Sequence, residues 1–263
     1  MAPRGHLAPR GHVAVITTIA RHELRSLFLS PLAWVVLALV QLLMAYIFLL
    51  NIDNFIAEQD KLALLPQVSG VTVFVIIRSL GNVPTLLMVV IPLITMRMLS
   101  DEKRLHTRVL LLSSPVSMRA IVLGKYLSVI AFFSISWLII GLMAISLNLG
   151  TQLDIGHIAA ALLAIFLMIM AIAAIGLYMS SLTAQSAIAA LATFALVLLL
   201  WIVDNGSKFD GSENLLVHLS MSHHYQALLS GLVPLASVMY FLLVTAVFLL
   251  LAVRRLHRER VYG

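Results

Sequence analysis

Runs of about 20 continuously apolar residues recur along this chain, and a helix of that length spans the roughly 30 Å hydrocarbon core of a bilayer. That one feature removes most folds from consideration. A backbone crossing lipid must satisfy its polar groups internally, which leaves helices or a closed β-barrel, and a barrel would show short segments of alternating polarity. The runs here do not alternate. Of the 263 residues, 62% are hydrophobic and 11% charged, and the mean hydropathy is +1.06, whereas soluble domains hold roughly 45–50% apolar residues. The predicted fold is all-α and polytopic.

Six transmembrane helices are expected, at about 31–50, 83–99, 126–147, 158–179, 187–203 and 234–253. Pro31 opens the first at a position where a helix tolerates proline, and Asn51, Asp53 and Asn54 are expected to end it. Residues 52–82 read as a loop and a shorter helix outside the core. The second span holds Pro84 and Pro92, breakers that lipid-embedded helices accommodate with a kink. Before the first span, Val13 to Leu29 is amphipathic, with Val15, Ile16, Ile19, Leu24 and Phe28 interrupted by Arg21, His22, Glu23 and Arg25. It is too polar to cross and reads as an interfacial helix. Residues 215–231 read as a re-entrant or interfacial element. Residues 1–12 repeat Ala-Pro-Arg-Gly-His and lack an apolar core, so they read as a disordered arm ahead of a single membrane domain over 13–263.

Six spans put both termini on one side, and basic residues near spans are retained in the cytoplasm. All but three of the 17 Lys and Arg fall on one face of this arrangement: four arginines before the first span, six basic residues from Arg97 to Lys125, and four arginines after the last span. The exceptions are Lys61, Arg78 and Lys208. Both termini are therefore expected in the cytoplasm. The stretch Arg97 to Lys125 is expected to lie in water. Because the basic residues flank apolar spans, the net charge of +6 points to an anionic leaflet rather than to nucleic acid.

Several chemistries are excluded. Gly124-Lys125 invites comparison with a phosphate-binding loop, but Arg119 stands where the first Gly belongs and Tyr126 where Ser or Thr would bind magnesium. There is no His-Glu-x-x-His or Gly-x-Ser-x-Gly motif. The adjacent His223 and His224 diverge on a helix, and His218 lacks a partner four residues away, so no metal or cofactor site is expected. Zero cysteines exclude disulfides and thiolate sites. A proton-coupled carrier places ionisable groups deep in its spans, and these spans hold almost none. Gln41, near the centre of the first span, and Arg78, near the outer boundary, are the candidate residues of a translocation path. For Gln41 the simpler use is a hydrogen bond to a neighbouring helix, and for Arg78 it is snorkelling to the boundary.

The segment from Met98 to Ser117 is too polar to cross and too apolar to be idle. Leu105, Val109 and Leu112 form a stripe at helical spacing beside Arg104 and Arg108, which is the character of a docking surface. Here the chain resembles the permease subunits of type-2 ABC exporters. Glu102, Lys103, Arg104, Thr107, Leu110, Leu111, Leu112, Pro115 and Val116 match that family's loop after span two, and Gly124-Lys125 matches its Gly-Lys before span three. His106 stands where the family usually has Gly, and Val109 where it usually has Glu. Phe28-Leu-Ser-Pro-Leu-Ala-Trp-Val-Val, Pro92-Leu-Ile-Thr-Met-Arg97 and Gly176-Leu-Tyr-Met-Ser-Ser-Leu-Thr183 look like the branch that includes gliding-motility-associated permeases.

The resemblance implies an N-terminal connecting helix, a cytoplasmic coupling helix after span two and a short helix pair before span six. It also implies a separate ABC ATPase subunit, a second permease half, which is either an identical copy or a related chain, and room for a periplasmic accessory subunit. The residues expected to meet the ATPase are Asp101, Glu102, Arg104, Leu105, Thr107, Arg108, Val109, Leu112 and Pro115. ATP hydrolysis is expected in the partner and no enzymatic chemistry in this chain. The rival from another class is a membrane scaffold that uses the same ATPase contact for motility or envelope assembly without transport.

Overall fold

The computed structural model describes residues 12–62, 70–104, 117–149, 153–207 and 215–262. Among them there are helices, turns and short connections, and no strand. Helix α1, His12–Leu29, is the amphipathic segment, and α2, Pro31–Leu62, follows it after the single residue Ser30. A π-helical turn, Thr72–Ile77, leads into α3, Arg78–Leu80, then α4, Val83–Thr95, and α5, Arg97–Arg104. The chain continues with α6, Met118–Ser146, α7, Ile155–Leu182, and α8, Ser186–Ser207. Two short helices, α9, Leu215–Leu219, and α10, Met221–Leu229, precede α11, Leu235–Tyr262.

Six stretches among the described residues are long and apolar enough to cross a membrane: 31–58, 72–100, 118–146, 155–182, 186–203 and 235–260. The protein is an all-α polytopic membrane protein. Helix α7 is its axis, packed against α11, α4, α6, α8 and α10. Its packing surface is made of small residues, with Ala160, Ala161, Ala164, Ala171, Ala173 and Ala174 all buried. Helices embedded in lipid gain nothing from hydrophobicity when they meet, so close backbone approach over small side chains holds them together.

Three segments depart from the sequence expectation. Helix α2 does not stop at Asn51, Asp53 and Asn54 but runs on to Leu62. Asn and Asp are weak helix formers rather than breakers, and Asn51 is buried, its Nδ2 donating to Ser79 Oγ at 3.0 Å. Residues 72–80 are not outside the core: Val75, Ile76, Ile77 and Leu80 are buried and continue into the second span. Nor does the whole of Arg97 to Lys125 lie in water. Helix α6 begins at Met118, capped by the Ser117 side chain, which accepts from the Ala120 amide, and Met118, Ile121, Val122 and Lys125 are buried. The cause is α1, which lies along this part of α6 and covers it.

The arm over residues 1–11 lies outside the described residues, as do residues 105–116, which hold Leu105, Thr107, Arg108, Val109, Leu112 and Pro115.

Candidate functional site

At the end of the bundle where most of the basic residues gather, the chain leaves the second span through α5 and returns through Ser117 into α6. Both flanks of the segment between them are tied down. On the exit side, the helix is interrupted at Met96. The amides of Leu99 and Ser100, which open α5, donate to Ser180 Oγ at 3.1 Å each, and that hydroxyl donates in turn to the Met96 carbonyl at 2.9 Å. One serine of α7 therefore supplies the acceptor that a continuous helix would have supplied from its own backbone, while its donor meets a carbonyl that the break frees. Ser100 adds a bond to Ser186 at the start of α8.

One turn before Ser180, Gly176 lets the two elements touch. A Cβ there would lie 2.8 Å from Thr95 Cβ, closer than packed carbons come. Thr95 directs its own hydroxyl to the Ile91 carbonyl at 3.0 Å. Gly176 and Ser180, four residues apart and hence on one face of α7, clasp the hinge between α4 and α5.

On the return side, α6 is held by α1. Lys125 is 2% exposed, and its Nζ meets Glu23 Oε1 of α1 at 2.6 Å. A buried ammonium without a carboxylate would be costly, and losing one partner of such a pair is more damaging than the pair is stabilising. Gly124 sits beside it for a steric reason, since a Cβ there would lie 2.7 Å from Ile19 Cγ2. The Gly-Lys pair is thus a docking seat for the amphipathic helix. The corner joining α1 to α2 is closed by Trp34, whose indole N–H donates to the Phe28 carbonyl at 2.8 Å. Phe28 in turn lies against the ring of Phe132 of α6, centroids 5.6 Å apart.

The opposite end is closed by hydrogen bonds between the elements. Pro84 has no N–H to offer the carbonyl four residues earlier, and the hydroxyl of Tyr225 in α10 donates to that Leu80 carbonyl at 2.8 Å. Tyr225 is 1% exposed, and burial pushes its phenol above the usual range. His157, in the first turn of α7, has Nε2 2.8 Å from the Leu229 carbonyl. His224 stacks on Tyr240 at 4.2 Å, with Nδ1 3.0 Å from Ser237 Oγ and Nε2 3.0 Å from the His218 carbonyl. Desolvation lowers its pKa from the ordinary value, with opposition from the His218 carbonyl.

Of the residues singled out in the sequence, Asp101, Glu102 and Arg104 share α5, directly after the Ser180 clasp. Gln41 and Arg78 are not brought together. Gln41 is half-buried, and its amide nitrogen donates to Ser136 Oγ at 2.7 Å and to the Ser136 carbonyl at 3.1 Å, joining α2 to α6. Arg78 is exposed, with its guanidinium 5.4 Å from the centre of the Phe74 ring. Sequence reasoning gave Glu23 and Ser180 no role. The usable signals were a lone acid on an otherwise basic amphipathic helix, and a glycine and a serine four residues apart on a face rich in alanine.

An amphipathic helix seated on Gly124-Lys125, a broken second span and a short helix pair before the last span occur here in one six-span chain. The model of the family described as ABC-2 family transporter protein matches residues 17–261. The chain belongs to this family. No curated protein matches it. It is therefore a multi-pass membrane protein of the ABC transporter permeases, whose members are typically non-enzymatic membrane subunits. The family implies an ABC ATPase as partner. The ABC-2 match begins within α1 and ends within α11, so it takes in both flanks of the tied segment and the helix pair at the far end.

Proposed function

We propose that this chain is the permease subunit of an ABC exporter in the bacterial inner membrane, with both termini in the cytoplasm. Two such halves pair, either two copies or this chain with a related one. Two ATPase subunits dock on residues 101–116, using Asp101, Glu102, Arg104, Leu105, Thr107, Arg108, Val109, Leu112 and Pro115. The observation that supports this reading is the anchoring of both flanks of that segment. A push on residues 105–116 reaches α7 and α8 through the Ser180 clasp and α1 through the Lys125–Glu23 pair, with little slack in either route. Closure of the ATPases on nucleotide then moves the α4–α5 hinge against the axis helix and opens a path between the halves. Gln41 and Arg78 are the candidate path residues, with Arg78 at the far boundary.

The test replaces Leu105, Val109 and Leu112 together with Asp and measures co-purification of the partner ABC ATPase. Loss of association is expected; undiminished association would remove the coupling assignment. A second reading rests on the likeness of Phe28 to Val36, Pro92 to Arg97 and Gly176 to Thr183 to the gliding-motility-associated branch. There the same ATPase contact drives a membrane scaffold in motility or envelope assembly. ATP-dependent flux of a substrate in vesicles holding both subunits separates the two, since the scaffold moves none.

A further inference from the structure

Beside the seat of α1, between the first turns of α6 and the last turns of α11, lies an open cavity of about 800 Å³. Its lining is mixed. Arg119, Arg254, His257 and Arg258 line it together with the apolar Ile16, Leu123 and Val253. Residues 254, 257 and 258 share one face of α11, and Arg254 and Arg258 stand one turn apart, where like charges repel. Among the described residues, Arg119, Arg254 and Arg258 have no ion-pair partner. The start of α6, capped by Ser117, contributes the positive end of a 29-residue helix. Cations lining a partly apolar cavity, at the ends of two membrane-spanning stretches, complement an amphiphile with an anionic head.

We propose that this cavity seats the headgroup of an anionic phospholipid. The phosphate meets Arg119, Arg254 and Arg258, and the upper acyl chain runs along Ile16, Leu123 and Val253. The apolar lining favours a lipid over free phosphate, because a solvated anion gains nothing from it. Its volume lies within the range of about 300–1,000 Å³ usual for small-molecule sites. Since α1, α6 and α11 all border the cavity, a bound lipid bridges the amphipathic helix to the last span. The proposal concerns a resident lipid and does not depend on transport.

The test titrates the purified full-length chain with phosphatidylglycerol, phosphatidylethanolamine or inorganic phosphate, reading bound species by native mass spectrometry. Phosphatidylglycerol is expected to bind about tenfold tighter than phosphatidylethanolamine, and Arg119→Gln/Arg254→Gln/Arg258→Gln to abolish that preference. The corresponding triple Lys variant should keep it to within about threefold, because the attraction is mainly one of charge. Arg21→Gln/Arg25→Gln, which removes two exposed charges from a groove elsewhere on α1, should leave it unchanged. Because Arg119, Arg254 and Arg258 are exposed, the triple Gln variant should fold; if it does not, Arg258→Gln alone should reduce the preference by about threefold. Equal binding of both lipids, a preference that survives the Gln variants, or binding of inorganic phosphate as tight as that of phosphatidylglycerol would each overturn the proposal.

Discussion

Helices α7 and α8 are consecutive spans of similar hydropathy, 3.0 and 2.5 over their most apolar windows, yet 72% of the first window is buried and only 17% of the second. Hydropathy reports how willingly a segment leaves water. It does not distinguish a helix that leaves water for lipid from one that leaves it for other helices, because lipid tails and leucine side chains are about equally apolar. What separates the two helices is where the small residues go. In α7 they continue past mid-span through Ala171, Ala173, Ala174 and Gly176 to Ser180, and neighbours close on every side. In α8 they give way after Ala195 to the large apolar run 196–202, and large side chains such as Leu191 and Leu199 stand exposed.

The contrast is most easily broken at Gly176. Replacing it with Leu forces a side chain into Thr95 and is expected to cost about 3 kcal/mol or more. The expected readout is a lower thermal midpoint and a lower yield of monodisperse protein in detergent. A Gly176→Leu variant as stable as the parent would mean that α4 and α7 are not in close contact. Next in size is Ser180→Ala, which takes the side-chain acceptor from the Leu99 and Ser100 amides, while the Met96 carbonyl keeps the Ser100 hydroxyl, and is expected to cost about 1–3 kcal/mol. Hydrogen exchange at Leu99 and Ser100 should accelerate while the centre of α7 stays protected. Unchanged exchange at those two amides would show that the clasp does not hold α5.

The smallest effect on the half itself is expected on α8. Leu191→Ala with Leu199→Ala should change the stability of the isolated half by no more than about 0.5 kcal/mol, as for exposed sites generally. If the second half covers this face, as the proposed pairing allows, cross-linking between halves should fall in the same variant. A large loss of intrinsic stability would sink the comparison between the two helices.

Much of this arrangement was legible beforehand. Val13 to Leu29 announced its amphipathic character, and the helix over 12–29 lies where the pattern put it. The element over 215–231 was also visible in outline, and the family resemblance implied its division into the two short helices before the last span. Lys125 was not legible as a buried residue, because its carboxylate partner lies 102 positions earlier in the chain and nothing near Lys125 marks the match. The extension of α2 past Asn51 was hidden for the same reason, since Ser79 is the residue that makes burial of that amide tolerable. The Gly176 to Thr183 motif was recognisable as a pattern, but its use, stitching a break in another helix, could not be read from α7 alone.

By itself, the order of residues determined that the chain is helical, that it lives in lipid and roughly where six stretches cross. Each of those outcomes is set by the transfer free energy of about 20 neighbouring side chains, a sum that needs no knowledge of the rest of the chain. Only the tertiary structure decided which span became the axis, which charge could be buried and where broken helices would find substitute partners. Those outcomes depend on pairwise fits between residues far apart, whose energies local hydropathy does not contain.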